Sequence, residues 1–346
     1  MTTSSRRRAM IGVFLAAAWP GWIDPVWAET PEANDPLVKS VEVGVTGWFT
    51  QGKTDWSHDA SHLDPDLGNP TSKLKYEDVG TNVVELAGKV RFKNRVFLQG
   101  NFGFAEIGGG RLTDDDYLSA QGAANNGASS PGAQRFSRTF SDIGGDDMWY
   151  VNADIGFLAH EFRHNKGFLD LFVGFQYWRE KQVANGLLQV ECTTASSPNP
   201  SFGCSPPGTS QFKGQTVITN TVHWTSLKVL GSAIRYRLWP RVDIDAKAAF
   251  LITWLNNEDV HHLRSDLAQN PSFKMTGVGI GTNADVNVRV MLLQRLYLTG
   301  GYRVWWTKVT DGDWQIYGAT GSSAGANLNE FETLRHGPTV GLTYVF

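Results

Sequence analysis

Residues 276–290 read TGVGIGTNADVNVRV, and two-residue alternation runs through all fifteen positions. Val278, Ile280, Thr282, Ala284, Val286, Val288 and Val290 share one face of an extended chain. Gly277, Gly279, Gly281, Asn283, Asp285, Asn287 and Arg289 share the other. A half-buried strand of a soluble protein also alternates, but usually over about 5–6 residues. A strand this tall, with Asp and Arg on its polar face, suits a barrel wall with lipid outside and a polar lumen inside.

The pattern recurs along the chain. Val41, Val43 and Val45 oppose Glu42, Gly44 and Thr46, and Val84, Leu86, Val90 and Phe92 oppose Glu85, Lys89 and Arg91. Trp149, Val151, Ala153, Ile155 and Phe157 oppose Tyr150, Asn152 and Asp154, and the chain ends on an aromatic-aliphatic strand at Phe346. Four connections are short, KNR at 93–95, HNKG at 164–167, WPR at 239–241 and LQR at 293–295, and the other five are long and polar. Short turns at one end and long loops at the other are the asymmetry of outer-membrane barrels, and an even strand number puts both termini at the periplasmic end. The predicted fold is all-β, a ten-stranded antiparallel transmembrane β-barrel of the outer-membrane type. No apolar run approaches the roughly 20 residues of a membrane helix. A secreted β-sandwich is the competing fold, and tall strands with two-ended asymmetry argue against it.

Residues 1–28 read as a signal peptide. Arg6, Arg7 and Arg8 form a basic start, residues 10–19 are apolar but too short to span, and Val26-Trp27-Ala28 fits a cleavage site. Residues 29–346 then form a single barrel domain in the bacterial outer membrane, its long loops extracellular. The leader holds three arginines and one aspartate, so its removal moves the formal charge from −3 to −5. Neither value suggests a nucleic-acid partner. Cys192 and Cys204 bracket the loop TTASSPNPSFG and are the chain's two cysteines. In an exported protein such a pair is most simply a disulfide.

The chemistry concentrates in two places. In RVDIDAKAAFLITWLNNEDVHHL, Val242, Ile244, Ala246, Ala248, Phe250, Ile252 and Trp254 form the lipid-facing set. The opposite parity runs through Asp243, Asp245, Lys247 and Thr253 to Leu255, Asn257, Asp259 and His261. A carboxylate two residues from an imidazole on one inward face can orient it and stabilise its cation. His262 falls on the outward parity. The bland alternative is a polar rim at a barrel mouth. The second place is GGGRLTDDDYLSA, where Asp114, Asp115 and Asp116 follow a triple glycine at the foot of a long outer loop. If extended, Asp114 and Asp116 share a face, and two close carboxylates repel so that one holds a proton. Glycines interrupt the parity, so the direction of this run stays open. No phosphate loop, zinc-ligand cluster or nucleophile elbow appears, so no metal or cofactor is expected.

Asp-x-Asp in the second outer loop and Asp-x-His at the fourth together resemble the omptin family of ten-stranded outer-membrane endopeptidases. Further similarity lies in GKT at 52–54, Arg111 after the glycines, GFQ at 174–176, Trp254 before the acid-histidine run and the final GLTYVF. The resemblance implies that Asp259 and His261 face Asp114 and Asp116 across the barrel mouth and activate a water for peptide hydrolysis. It also implies polypeptide substrates, and contact with membrane lipid and lipopolysaccharide, the latter required for activity. The family's serine position matches Trp178, and its substrate-binding acids match Asn257 and the neighbourhood of Asp55, where a one-residue shift would be needed because Trp56 stands at the matching position. The competing readings are a catalytically altered barrel serving as an adhesin or ligand-binding surface protein, a lipid-modifying hydrolase, for which no Ser/His/acid set is evident, and a diffusion porin, disfavoured by a narrow charged lumen.

Overall fold

A computed structural model of the protein describes residues 37–128 and 134–346. The expected signal peptide, 1–28, lies outside the described residues. Among the described residues eleven strands follow one another: β1 (Val38–Asp59), β2 (Leu67–Phe92), β3 (Val96–Leu118), β4 (Arg135–Ile143), β5 (Asp147–Phe162), β6 (Gly167–Cys192), β7 (Ser210–Trp239), β8 (Val242–His261), β9 (Phe273–Leu293), β10 (Leu296–Tyr317) and β11 (Ser323–Val345). A short helix, α1 (Ala120–Asn125), follows β3. Neighbours pair antiparallel, and β1 pairs with both β2 and β11, which closes the ring. β4 and β5 each pair with β3 on one side and β6 on the other, so they are two halves of one wall position. The wall therefore has ten positions, as the count of four short and five long connections predicts.

Outward residues form an exposed apolar belt, with Val43 and Val45 on β1, Phe102 and Phe104 on β3, Phe250 and Trp254 on β8, and Val286 and Val288 on β9. The expected parity of residues 276–290 holds, with Val278, Ile280, Val286, Val288 and Val290 exposed while Gly279, Gly281, Asn283 and Arg289 are buried in the lumen. Inside the belt, charged side chains pair across the barrel: Arg91 and Lys89 with Asp170, Lys228 and Lys247 with Asp154, and Arg235 and Arg289 with Glu42. A buried charge is tolerated only when paired, and these are. A cavity of about 260 Å³ opens among these layers, lined in part by Glu42, Glu85, Lys89, Asp154 and Arg303. Trp305 lines it, and Trp48, Tyr150, Trp178 and Trp305 pack edge-on or tilted, with ring centroids 4.6–6.4 Å apart, and cross-brace the lumen from four strands. Gly52 leaves room for a further strut: a β-carbon there would stand 2.3 Å from Arg335 Cδ, and Arg335 reaches Glu180 on the far wall at 2.6 Å.

The strands rise far beyond the belt, so much of what the sequence suggests is outer loop is strand. Asp114 and Asp116 lie within β3 and not at the foot of a loop. The wall also changes parity at one height. Thr50 pairs with Thr81 but Thr54 with Tyr76, so β2 gains one residue on β1 around Asp78, whose φ is 54°. Thr81 faces Ile107 while Leu74 faces Asp114, so β3 gains a residue in step across Gly108, Gly109 and Gly110. Gly110 packs against the β2 backbone, where a β-carbon would meet Glu77 O at 2.8 Å. The gap between β4 and β5 at residues 144–146 is the third part of this bulge. Gly145 has φ 71°, and the segment keeps its pairing through Gly144 N to Val183 O at 3.0 Å and Ile107 N to Asp146 O at 2.7 Å. A one-residue insertion turns every later side chain to the other face. Three adjacent wall positions are re-aimed together.

Candidate active site

β8 carries no such bulge near its outer end, so its parity runs straight from the belt into the mouth. Asp259 lies five residues past Trp254, roughly 16 Å along the strand at about 3.3 Å per residue, which puts it above the apolar belt. Its side chain is fully buried, and neither carboxylate oxygen has a hydrogen-bond partner. His261 Nε2 stands 3.7 Å from Asp259 Oδ2, close enough for charge attraction and too long for a hydrogen bond. Phe273 packs edge-on against the imidazole at 4.7 Å, and the His261 backbone N–H donates to Ser272 Oγ at 3.0 Å, which fixes the end of the strand. His262 turns outward, where its Nε2 meets Thr219 Oγ1 at 2.9 Å.

On β3 the bulge decides which acids face in. Above it, Leu112, Asp114 and Asp116 take the inward parity, and Asp115 turns outward to a bidentate pair with Arg138 at 2.6 and 2.8 Å. Ser72 on β2 donates to Asp114 Oδ1 at 3.3 Å. Both inward carboxyls lie above the belt, walled by strands. Burial pushes Asp114 well up from the ordinary carboxylate range, and the neighbouring Asp116 charge adds to it. Burial likewise pushes Asp116 up to about 6, against the pull of the Ser72 hydroxyl and the His261 charge. Asp259 is among the charges acting on Asp114, and His261 among those acting on Asp116. The two pairs thus share one mouth, from β3 and from β8. Two carboxyls raised in this way and acting on each other can share a proton, and a shared proton lets the pair both donate to and accept from a water.

Around them lie groups the sequence reading does not single out. His58 on β1 is buried and stacks flat on Trp314 at 3.9 Å, and Trp314 stacks on Phe273 at 5.1 Å, so a wall of rings joins His58 to His261. Burial lowers the His58 imidazole to about 3, which keeps it neutral. Tyr76 and Ser72 face in from β2, and Asn220 on β7 pairs with Asp259 in register and donates to Gln182 at 3.2 Å. Continued alternation above the belt would reveal Asn220; Ser72 and Tyr76 lie beyond the bulge and are invisible to it.

Two further expectations meet the structure differently. Asp55, expected to bind substrate, lies on the outward parity of β1 and pairs with Lys53 at 3.0 Å; the one-residue shift that would bring it inward does not occur, and Trp56 faces the lumen instead. Asn257 does face inward, fully buried, with Nδ2 3.0 Å from Met275 Sδ and Oδ1 unpartnered. Trp178 is inward and buried at 5.6 Å from Trp305, so no serine supports the mouth from that position. Cys192 and Cys204 are bonded, with Cα atoms 5.7 Å apart. Among the described residues, no three His, Cys, Asp or Glu side chains gather closely enough to hold a metal ion.

The sequence matches no protein-family model and no curated protein. Among solved structures the chain is similar to the outer membrane protease OmpT from Escherichia coli, with a TM-score of 0.67 and 14% identity over 89% of this chain and 97% of that one. Weaker likenesses are to the translocator domain of the autotransporter NalP from Neisseria meningitidis, TM-score 0.34, 9% identity, covering 90% of each chain. The transport unit of the autotransporter AIDA-I from Escherichia coli follows, TM-score 0.33, 10% identity, covering 92% and 93%. At such identities the likeness concerns fold, and the fold is that of an outer-membrane β-barrel.

Proposed function

We propose that the protein is an endopeptidase of the outer membrane that cleaves polypeptides at the cell surface. The observation that carries this reading is the fully buried Asp259, both oxygens without partners, beside His261 and in a common mouth with the protonatable pair Asp114 and Asp116. A buried carboxylate without a hydrogen bond destabilises a fold, and sites that keep one are commonly functional.

In this reading Asp114 and Asp116, sharing a proton, hold the attacking water. His261 takes its proton as general base, through the ring nitrogen turned away from Asp259, and Asp259 stabilises the imidazolium. The water oxygen bonds to the peptide carbonyl carbon, the intermediate collapses with loss of the amine, and the amine leaves with the proton from His261. Lipopolysaccharide, which the family resemblance brings in as a requirement, would meet the outer wall rather than the mouth. Digestion of a diverse peptide library by refolded protein in lipopolysaccharide tests the reading. Cleavage that His261→Ala abolishes supports it, and a library left intact by the wild type leaves a ligand-binding surface barrel in its place.

A further inference from the structure

We propose that the hydroxyl of Tyr76 is a further catalytic group in this mouth, donating a hydrogen bond to the oxyanion formed as water adds to the substrate carbonyl. The proposal rests on the peptidase reading. Tyr76 points inward from β2, two residues below Leu74, the register partner of Asp114. Its side chain is fully buried, yet its Oη has no hydrogen-bond partner. Buried hydroxyls are nearly always paired within the protein, so one without a partner is suited to a group brought to it when the mouth takes up a substrate.

Its place is particular. The charges of Asp259 and Asp114 both act on it, one from each facing pair. Burial first, and then those two carboxylates, push the phenol well above its ordinary range, so it remains a donor. The mouth has the opposite need. Asp259 only accepts when ionised, the proton shared by Asp114 and Asp116 is engaged with the attacking water, His261 is occupied with the water's proton, and the Ser72 hydroxyl is directed at Asp114. A negative oxygen forming among carboxylates requires a donor aimed at it. The bulge at Asp78 puts Tyr76 there; without it the outward-facing Lys75 would take the inward parity. No proton leaves Tyr76. The carbonyl π pair moves onto oxygen as the water–carbon bond forms, Tyr76 O–H hydrogen-bonds that oxygen, and the pair returns as the C–N bond breaks.

Tyr76→Phe removes the hydroxyl and keeps the ring. With a cleaved peptide, kcat should fall about 10²-fold, the usual scale for one oxyanion donor, with KM little changed. A phosphinate peptide, which carries a tetrahedral anionic centre, should lose affinity by a similar factor, while the uncleaved parent peptide should not. Wild-type kcat and wild-type phosphinate affinity in Tyr76→Phe would overturn the proposal and leave the peptidase reading standing. A wild-type protein that cleaves nothing overturns both. A Tyr76→Phe protein that fails to reach the compact barrel assigns the hydroxyl to the scaffold, and the proposal falls.

Discussion

Asp259 and His261 stand two residues apart on the inward face of β8, Nε2 3.7 Å from Oδ2, and neither atom has a hydrogen-bond partner. The pair is therefore held by strand geometry and by the Phe273 ring rather than by a bond of its own. A carboxylate at this distance orients an imidazole and stabilises its cation once a proton arrives.

If that proton comes from the attacking water, His261→Ala should lower turnover by about 10²-fold or more. Asp259→Asn should also impair it, since the cation loses its counter-charge. His262→Ala should change little, because His262 bonds Thr219 on the outside of the wall. Rates of the three variants on one peptide decide the matter. Equal losses at His261 and His262 would return the stretch to a polar rim.

The acid pair should leave a mark on stability. Asp116 is pushed up to about 6 in the folded chain, above its value when unfolded, and Asp114 moves the same way. The folded state then binds the proton more tightly, so this contribution is complete below about pH 4 and is lost as pH rises through about 6. Asp116→Asn cannot ionise and escapes that loss. Its heat-induced loss of compact gel mobility should therefore shift upward relative to wild type at about pH 8, and by less at about pH 4. An advantage equal at both pH values would contradict the shift.

Cleavage preference should not be confined to basic residues. Trp56 and Asn257 face the lumen with neutral side chains, and Asp55 lies outside, paired with Lys53. A guanidinium buried there would lose its hydration without gaining a partner. Asn257→Asp should raise the preference for Arg or Lys by about 10-fold or more, the scale of one charged hydrogen bond. Library sequencing of both proteins reads this directly. A wild type that cuts only between basic residues would refute it.

The Cys192–Cys204 bond closes the loop that leads from β6 toward β7, where Phe202 packs edge-on to Phe136 at 6.1 Å. By loop entropy the bond contributes about 3 kcal/mol to that outer segment. Cys192→Ser with Cys204→Ser should expose residues 193–209 to proteolysis while the heat stability of the barrel changes little. Equal protection of the loop in both proteins would show that packing alone holds it.

Within the apolar belt the sequence determined the structure by itself. Lipid on one side and a polar lumen on the other impose a two-residue period, so Val278 to Val290 point out and Arg289 points in as the letters alone require. The four short turns and the ten wall positions follow from the same pattern, and on β8 the parity continues unbroken to Asp259 and His261. Above the belt that constraint ends, because water meets both faces and the alternation no longer distinguishes them. There the tertiary structure decided. One extra residue in each of three neighbouring wall positions, at Asp78, at Gly108–Gly110 and at Gly144–Asp146, turned Tyr76, Asp114 and Asp116 inward and Asp115 outward. Glycine permits such a bulge but does not announce it, since the insertion survives only when the strands on both sides shift with it, and that agreement exists only in the closed barrel.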